Sequence, residues 1–379
     1  VDLPDDAFVV RAPIPAGVVG NAALERVRQS IRNPIGRGIE DVARSAKAVS
    51  ILVTDKTRAT PNETILKALT ESLEGREITV VVANGLHKPS GEAALRKLVG
   101  DEIYERYEVV DHDSDDDKNM AYVGRTSRGT DFYVNKRVLN TDLIIGTGLI
   151  EPHFFAGYSG GRKLVLPGVA ATSTVYKNHD YEKMAHPMAD YGFLKGNPIH
   201  EDMVEATRMV SKFAFIVNVI LDEKKRLVQS FAGDPYEAHE RGAREYDSFG
   251  RAKVPFEADI TVVTNGGHPL DLNLYQAVKG MTTAARVTRR GGVIIALSRC
   301  EEGIGHESFR ELAAASKDPQ KILNYIKENE PIRDHWQEVE ELNMIRARSF
   351  EEALELARRM TRGKRVVAIP DGPYVIPDL

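Results

Sequence analysis

The chain has 379 residues, 42% hydrophobic and 28% charged, with a net charge of −5. That length exceeds the usual size of one core, so two domains are expected, and the charge balance offers no basic face to nucleic acid or anionic lipid. Small molecules are the expected partners. One cysteine, Cys300, excludes an internal disulfide and thiolate metal clusters; no apolar run approaches the roughly 18 residues that span a membrane, and VDLPDDAF lacks a signal-peptide pattern, so the expected location is the cytoplasm.

In chain order, β-branched runs alternate with helix-like stretches: VSILVTD (49–55), PNETILKALTESL, EITVVVANG (77–85) and SGEAALRKLVG. This alternation predicts an α/β fold. KNMAYVGRTSRGTDFYVNKRVL reads as a hairpin, and TDLIIGTG (141–148) as a buried strand that runs into a loop beginning at Glu151. A helix around HEDMVEATRMV, a hairpin FAFIVNVILDEKKRLVQSF and a charged helix ending near Gly250 complete a first α/β domain, residues 1–252. RAKVPFEAD reads as a linker. DITVVTNGG (259–267), NLYQAVKGMTTAARV and RRGGVIIALS then form a βαβ unit of a second α/β domain, 253–366. A tail, 367–379, is open to returning to the first domain, and the closing strand RVVAIPD fits either sheet. There is no internal repeat or low-complexity tract.

Ligands of open α/β sheets collect at the carboxyl ends of the strands, so the loops after each strand are where chemistry is expected. The first, DKTRATP, brings Asp55 and Arg58 to a helix start, where backbone N–H groups and a guanidinium suit a phosphate or carboxylate. An N-cap with an exposed ion pair is the alternative. The second, NGLHKPS, carries His87, either a base or a satisfied structural histidine. The third, EPHFFAGYSGGRKLVLPG (151–168), crowds His153, three glycines and Lys163 into one loop and is followed by KNHD with His179. Glycines there allow positive φ or close approach of a ligand. The spacing fails the ATP-binding P-loop, because Leu164 follows Lys163, and HExxH is absent. A glycine-rich turn with surface histidines is the plain alternative. The fourth, NGGHPLDLNLYQAVKG, places Tyr275 and Lys279 on one helix face, with Gln276 one turn from Lys279. That trio suits a small carboxylate, or is simply a solvated face.

Taken together and in order, DKTRATP, NGLHKPS, EPHFFAGYSGGRKLVLPG, KNHD and LYQAVKG resemble the nickel-pincer-dependent lactate racemase family, from about residue 50 to the region of Trp336. The resemblance implies two α/β domains with the active site in the cleft between them. It implies a 2-hydroxy acid racemase that moves a hydride to and from a pyridinium-3-thioamide-5-thiocarboxylate mononucleotide holding nickel. Lys163 would be the covalent anchor and His179 the nickel ligand, while His87 and His153 would act as bases. Asp55, Thr57, Ser159 and Gly160 would contact the cofactor. Arg58, Lys279, Gln276, Tyr275 and Trp336 would receive the substrate, with Arg58 and Lys279 also acting in catalysis. A small 2-hydroxycarboxylate and the cofactor-biosynthesis enzymes are the implied partners. A metal hydrolase using His87, His153 and His179, and a silent nucleotide-binding protein, stand as alternatives.

Overall fold

A computed structural model of the chain describes residues 1–305, 321, 344–345 and 347–379. Its strands are, in chain order, β1 (Phe8–Val9), β2 (Ala48–Thr54), β3 (Glu77–Ala83), β4 (Glu108–Asp111), β5 (Met120–Arg125), β6 (Asp131–Asn135), β7 (Leu143–Leu149) and β8 (Pro152–His153). There follow β9 (Gly157–Tyr158), β10 (Phe213–Leu221), β11 (Leu227–Gly233), β12 (Arg251–Lys253), β13 (Ala258–Thr264), β14 (Thr288–Leu297), β15 (Val366–Ile369) and β16 (Ile376–Asp378).

The larger sheet has the order β11-β10-β7-β2-β3-β4 and is parallel except for the edge strand β11. Its central strands are buried on both faces, which is why they read as unbroken apolar runs. Successive side chains point to opposite faces: Leu52, Val81 and Ile144 enter one core, and Ile51, Val80 and Ile145 the other. β5 and β6 form the expected hairpin.

The second sheet, β1-β15-β13-β14, is entirely parallel. It too divides its side chains, with Val263 and Val367 on one face and Val262 and Val366 on the other. Two features differ from the sequence reading, and a third resolves an alternative it left open. β1 lies within the stretch assigned to the first domain yet pairs with β15 in the second sheet, because two residues are too short to show any alternation. β15, which fitted either sheet, lies between β1 and β13. The stretch read as a linker contains β12, which pairs with β16 of the tail, and the Tyr246 hydroxyl donates to the Tyr374 carbonyl at 2.8 Å. With the Thr283 hydroxyl donating to the Gly372 carbonyl at 2.9 Å, the tail is held against both units. Among the described residues no helix is long and apolar enough to cross a membrane.

Candidate active site

The carboxyl ends of β2, β3 and β7 open on one cleft, which encloses about 1070 Å³ of empty space, part of it continuous with solvent. Asp55 and Arg58 follow β2, and Asn84, Leu86 and His87 follow β3. Beyond β7 the chain forms the tight β8–β9 hairpin carrying His153, then a 3-10 turn over Gly161–Leu164 carrying Lys163. His179 terminates the helix Thr172–Asn178. The second unit contributes Tyr275, Gln276 and Lys279 from the helix Leu274–Ala285, whose start is capped by Asn273. That helix is tied to the first unit by the Tyr191 hydroxyl, which donates to the Lys279 carbonyl at 2.7 Å.

Of the two tasks expected of the glycines, the structure shows positive φ. Gly157 and Gly160 have φ of +76° and +83°, and a Cβ at either would meet protein rather than ligand. It would lie 2.1 Å from the Phe193 carbonyl oxygen at Gly157 and 2.6 Å from Asn218 Oδ1 at Gly160. They let the loop pack on its own neighbours, and so fix the histidine and lysine it carries.

His87 and His153 occupy unlike environments. His87 Nδ1 lies 2.6 Å from Asp55 Oδ2. Burial alone would raise the Asp55 carboxyl, but His87, Arg58 and the Thr57 hydroxyl outweigh it and hold the group at about 2. The carboxylate is ionised, so it accepts from Nδ1–H, the tautomer whose neutral ring carries its lone pair on Nε2. His153 is buried, with Nε2 3.3 Å from Lys163 Nζ. The Ala156 N–H approaches its Nδ1 at 3.4 Å, too long to fix the tautomer. Burial first, then the Lys163, Arg58 and Lys279 charges, push His153 well below the ordinary histidine range. Lys163 is likewise pushed well down by burial and by Arg162, Arg58 and Lys279, against Glu151. Both groups are thus pushed toward their neutral forms, and an amine pushed that way gains nucleophilic character.

Arg58 does not pair with Asp55. Its Nε lies 3.4 Å from Glu151 Oε1 and its Nη1 donates to Thr57 Oγ1 at 3.0 Å, while the Thr57 hydroxyl donates to Asp55 Oδ1 at 2.8 Å. Neither the N-cap nor the exposed ion pair forms: Pro61 occupies the cap position without a side-chain bond. Lys279 Nζ donates to Gln276 Oε1 at 2.7 Å, and burial, then Arg58, lower it to about 7 against Glu151 and Asp55. His179 is 3% exposed, and its Nδ1–H donates to the Val175 carbonyl at 3.1 Å. That bond places the lone pair of the neutral ring on Nε2, the usual arrangement of a metal-ligating histidine.

Of the residues expected from sequence, Asp55, Arg58, His87, His153, Ser159, Gly160, Lys163, His179, Tyr275, Gln276 and Lys279 all line this cleft. Thr57 stands behind it, through Asp55. Trp336 lies outside the described residues. The sequence reading missed Glu151, the acid on Arg58, and Phe155, whose ring packs edge-on 4.3 Å from His153 and 4.8 Å from His179. Both stand in EPHFF beside the histidine that was singled out, and that adjacency was the available signal.

Comparison with known proteins agrees with this geometry. Residues 2–192 match the lactate racemase N-terminal domain, and 254–339 the lactate racemase C-terminal domain. The chain is 37% identical to a lactate racemase of Lactiplantibacillus plantarum, covering 99% of both proteins. The chain belongs to the lactate racemase family. It is an enzyme, an isomerase of that type. A second lactate racemase, from Thermoanaerobacterium thermosaccharolyticum, is 32% identical over 99% of this chain and 96% of its own length. The apoprotein structure of the lactate racemase from that organism superposes with a TM-score of 0.92, at 31% identity, covering 100% of this chain and 97% of that one. A Thermotoga maritima protein shares the fold at 18% identity, with a TM-score of 0.70, covering 97% of this chain and 99% of that one. The lactate racemase family thus carries the two α/β units and the cleft between them.

Proposed function

We propose that this protein inverts C2 of a small 2-hydroxycarboxylate, with lactate the first substrate to test, using nickel in a pyridinium-3-thioamide-5-thiocarboxylate mononucleotide joined to Lys163. The observation that carries the reading is one cleft holding two histidines on separate strand-end loops, two carboxylate-seeking cations and a buried lysine pushed toward its neutral form.

The residues present fit such a group. Thr54 Oγ1, Asn84 Oδ1 and Ser159 Oγ belong to cleft-lining residues, are buried and have no hydrogen-bond partner among the described residues. Buried polar atoms of this kind call for a partner, and a nucleotide's hydroxyls and phosphate would provide one. Lys163 would anchor the mononucleotide, and His179 Nε2 would hold nickel. When bound, the group supplies the acceptor and donor for the C2 hydride.

The chain's own side chains do the rest. Arg58 and Lys279 orient the substrate carboxylate with charge-assisted bonds, and Gln276 holds the Lys279 ammonium in place. His87 Nε2 takes the substrate hydroxyl proton from one side, and His153 serves the other hand of substrate. Leu86, Phe154, Phe155 and Tyr275 supply apolar surface that limits water. Maturation depends on separate cofactor-biosynthesis enzymes. The hydrolase alternative requires His87, His153 and His179 as a ligand set, but among the described residues no three His, Cys, Asp or Glu side chains are grouped to hold an ion. A silent nucleotide-binding protein leaves the His87–Asp55 pair without a task.

The test is chiral chromatography of each pure enantiomer of lactate and other 2-hydroxy acids after incubation with cofactor-loaded protein, alongside intact mass and nickel analysis. Inversion of a 2-hydroxy acid with an adduct on Lys163 supports the reading. Active protein with an unmodified Lys163, or activity restored by zinc alone, overturns it.

A further inference from the structure

Behind the loop that carries His153 and Lys163 lies a second cavity, of about 700 Å³ of empty space and open to solvent on one side, which shares no lining residue with the cleft. Arg162, His200 and His239 line it and are 1%, 8% and 2% exposed. Arg162 is a buried cation that pairs with no carboxylate among the described residues. It donates to the carbonyls of Ala156 at 2.7 Å, Tyr158 at 2.8 Å and Gly160 at 3.3 Å, and Nη1 lies 3.0 Å from His239 Nε2. Burial pulls it down to about 9, and no acid acts to raise it again. Arg162 Nε and His200 Nδ1 are buried and have no hydrogen-bond partner among the described residues.

Three glutamates also line the cavity, but each is engaged: Glu201 with Arg128 at 2.7 Å, Glu205 with the Ser127 hydroxyl at 2.6 Å and Glu240 with Arg244 at 3.7 Å. Arg208, exposed, lies 4.8 Å over the Tyr236 ring and forms no ion pair among the described residues. Glu205 bonds only neutral groups, so with the two ion pairs cancelled the lining sets two cations, Arg162 and Arg208, against one carboxylate and keeps a net positive charge. Carbonyl dipoles offset part of the cost of burying a guanidinium, and an anion offsets more.

We propose that this cavity binds a small oxyanion, a carboxylate or inorganic phosphate, received by Arg162 Nε and His200 Nδ1 as N–H donors and steered in by Arg208. The same guanidinium gathers the carbonyls of the loop that carries His153 and Lys163, so an occupant braces that loop from behind. The site is independent of cofactor and of the racemase reading.

The experiment follows the His200 and His239 ring resonances of the apoprotein while sodium acetate or sodium phosphate is added at constant ionic strength, with chloride as the reference. A saturable shift is expected in the parent and in Lys279→Met, which removes a carboxylate-binding cation from the main cleft. Arg208→Glu should weaken the midpoint about tenfold, and Val204→Trp, which fills the cavity, should abolish the shift. Saturation with phosphate alone, or with acetate alone, assigns the occupant to that class. A response linear in salt, equal with chloride, or unchanged in both Arg208→Glu and Val204→Trp overturns the proposal. Arg208→Glu changes an exposed side chain and keeps the test sound if the tryptophan variant fails to fold.

Discussion

His87 and Asp55 meet across two strands, with Nδ1 and Oδ2 2.6 Å apart, whereas His153 has no carboxylate on its ring among the described residues and faces the Lys163 amine instead. The carboxylate sets the His87 tautomer. Asp55→Asn keeps the shape but removes the charge and, with the amide NH₂ turned toward Nδ1, favours the wrong tautomer. The expected result is a fall in kcat of about 10²- to 10⁴-fold with retained cofactor, read from initial racemisation rates and intact mass. A fall of less than about threefold would show that the pair is not used.

Net inversion requires a proton to leave one hand of the substrate and return on the other. His87→Ala and His153→Ala should therefore each stop racemisation while keeping one half-reaction. In a single turnover with stoichiometric loaded enzyme, each variant should form 2-oxo acid from only one enantiomer, and the two variants from opposite ones. Cofactor absorbance with each pure enantiomer reads this directly. The same preference in both variants defeats the two-base scheme.

Lys279 titrates at about 7 in the free protein, lowered by burial and Arg58. A lowered lysine is cationic below that value and neutral above it. The grip on the substrate carboxylate is therefore present on the acid side and lost as pH rises through 7, so kcat/KM should fall about tenfold per pH unit above it. kcat should change less, since the bound carboxylate favours the ammonium. Lys279→Arg should remove the alkaline fall, because arginine stays charged. An unchanged alkaline limb in that variant assigns the titration elsewhere.

Gly160 combines φ of +83° with ψ of −174°, a region essentially closed to other residues, and its missing Cβ leaves room for Asn218. Gly160→Ala should destabilise by about 1–3 kcal/mol, read as a lower midpoint in denaturant. Asn218→Ala should restore only part of the loss, because the backbone cost remains. Unchanged stability in Gly160→Ala would mean that the loop relaxes freely.

The strands that carry the site were legible because a strand buried on both faces is an unbroken apolar run, and the loops after β2, β3 and β7 follow from it. Gln276 and Lys279 were legible because helical spacing fixes which side chains meet. Pairings across strands were not. Asp55 and Arg58, three residues apart, suggested each other, yet Asp55 turns to His87 and Arg58 to Glu151, 32 and 93 positions away along the chain. The lowering of Lys163 was equally hidden, since it comes from burial and, beside the adjacent Arg162, from Arg58 and Lys279 on distant segments. β1 escaped because its two residues carry no pattern and gain meaning only from β15.

That small strand has a mechanical consequence. The backbone crosses between the two units after β1, again near β12, and doubles back beside β12 as β16. Several covalent tethers in parallel resist sliding and favour torsion about a common axis, so opening of the cleft should resemble the turning of a door more than the swing of a ball on a string. They also mean that no single cut separates the units. A fragment beginning at residue 253 would lack β1, leave the backbone edge of β15 bare, and tend to precipitate by pairing with copies of itself.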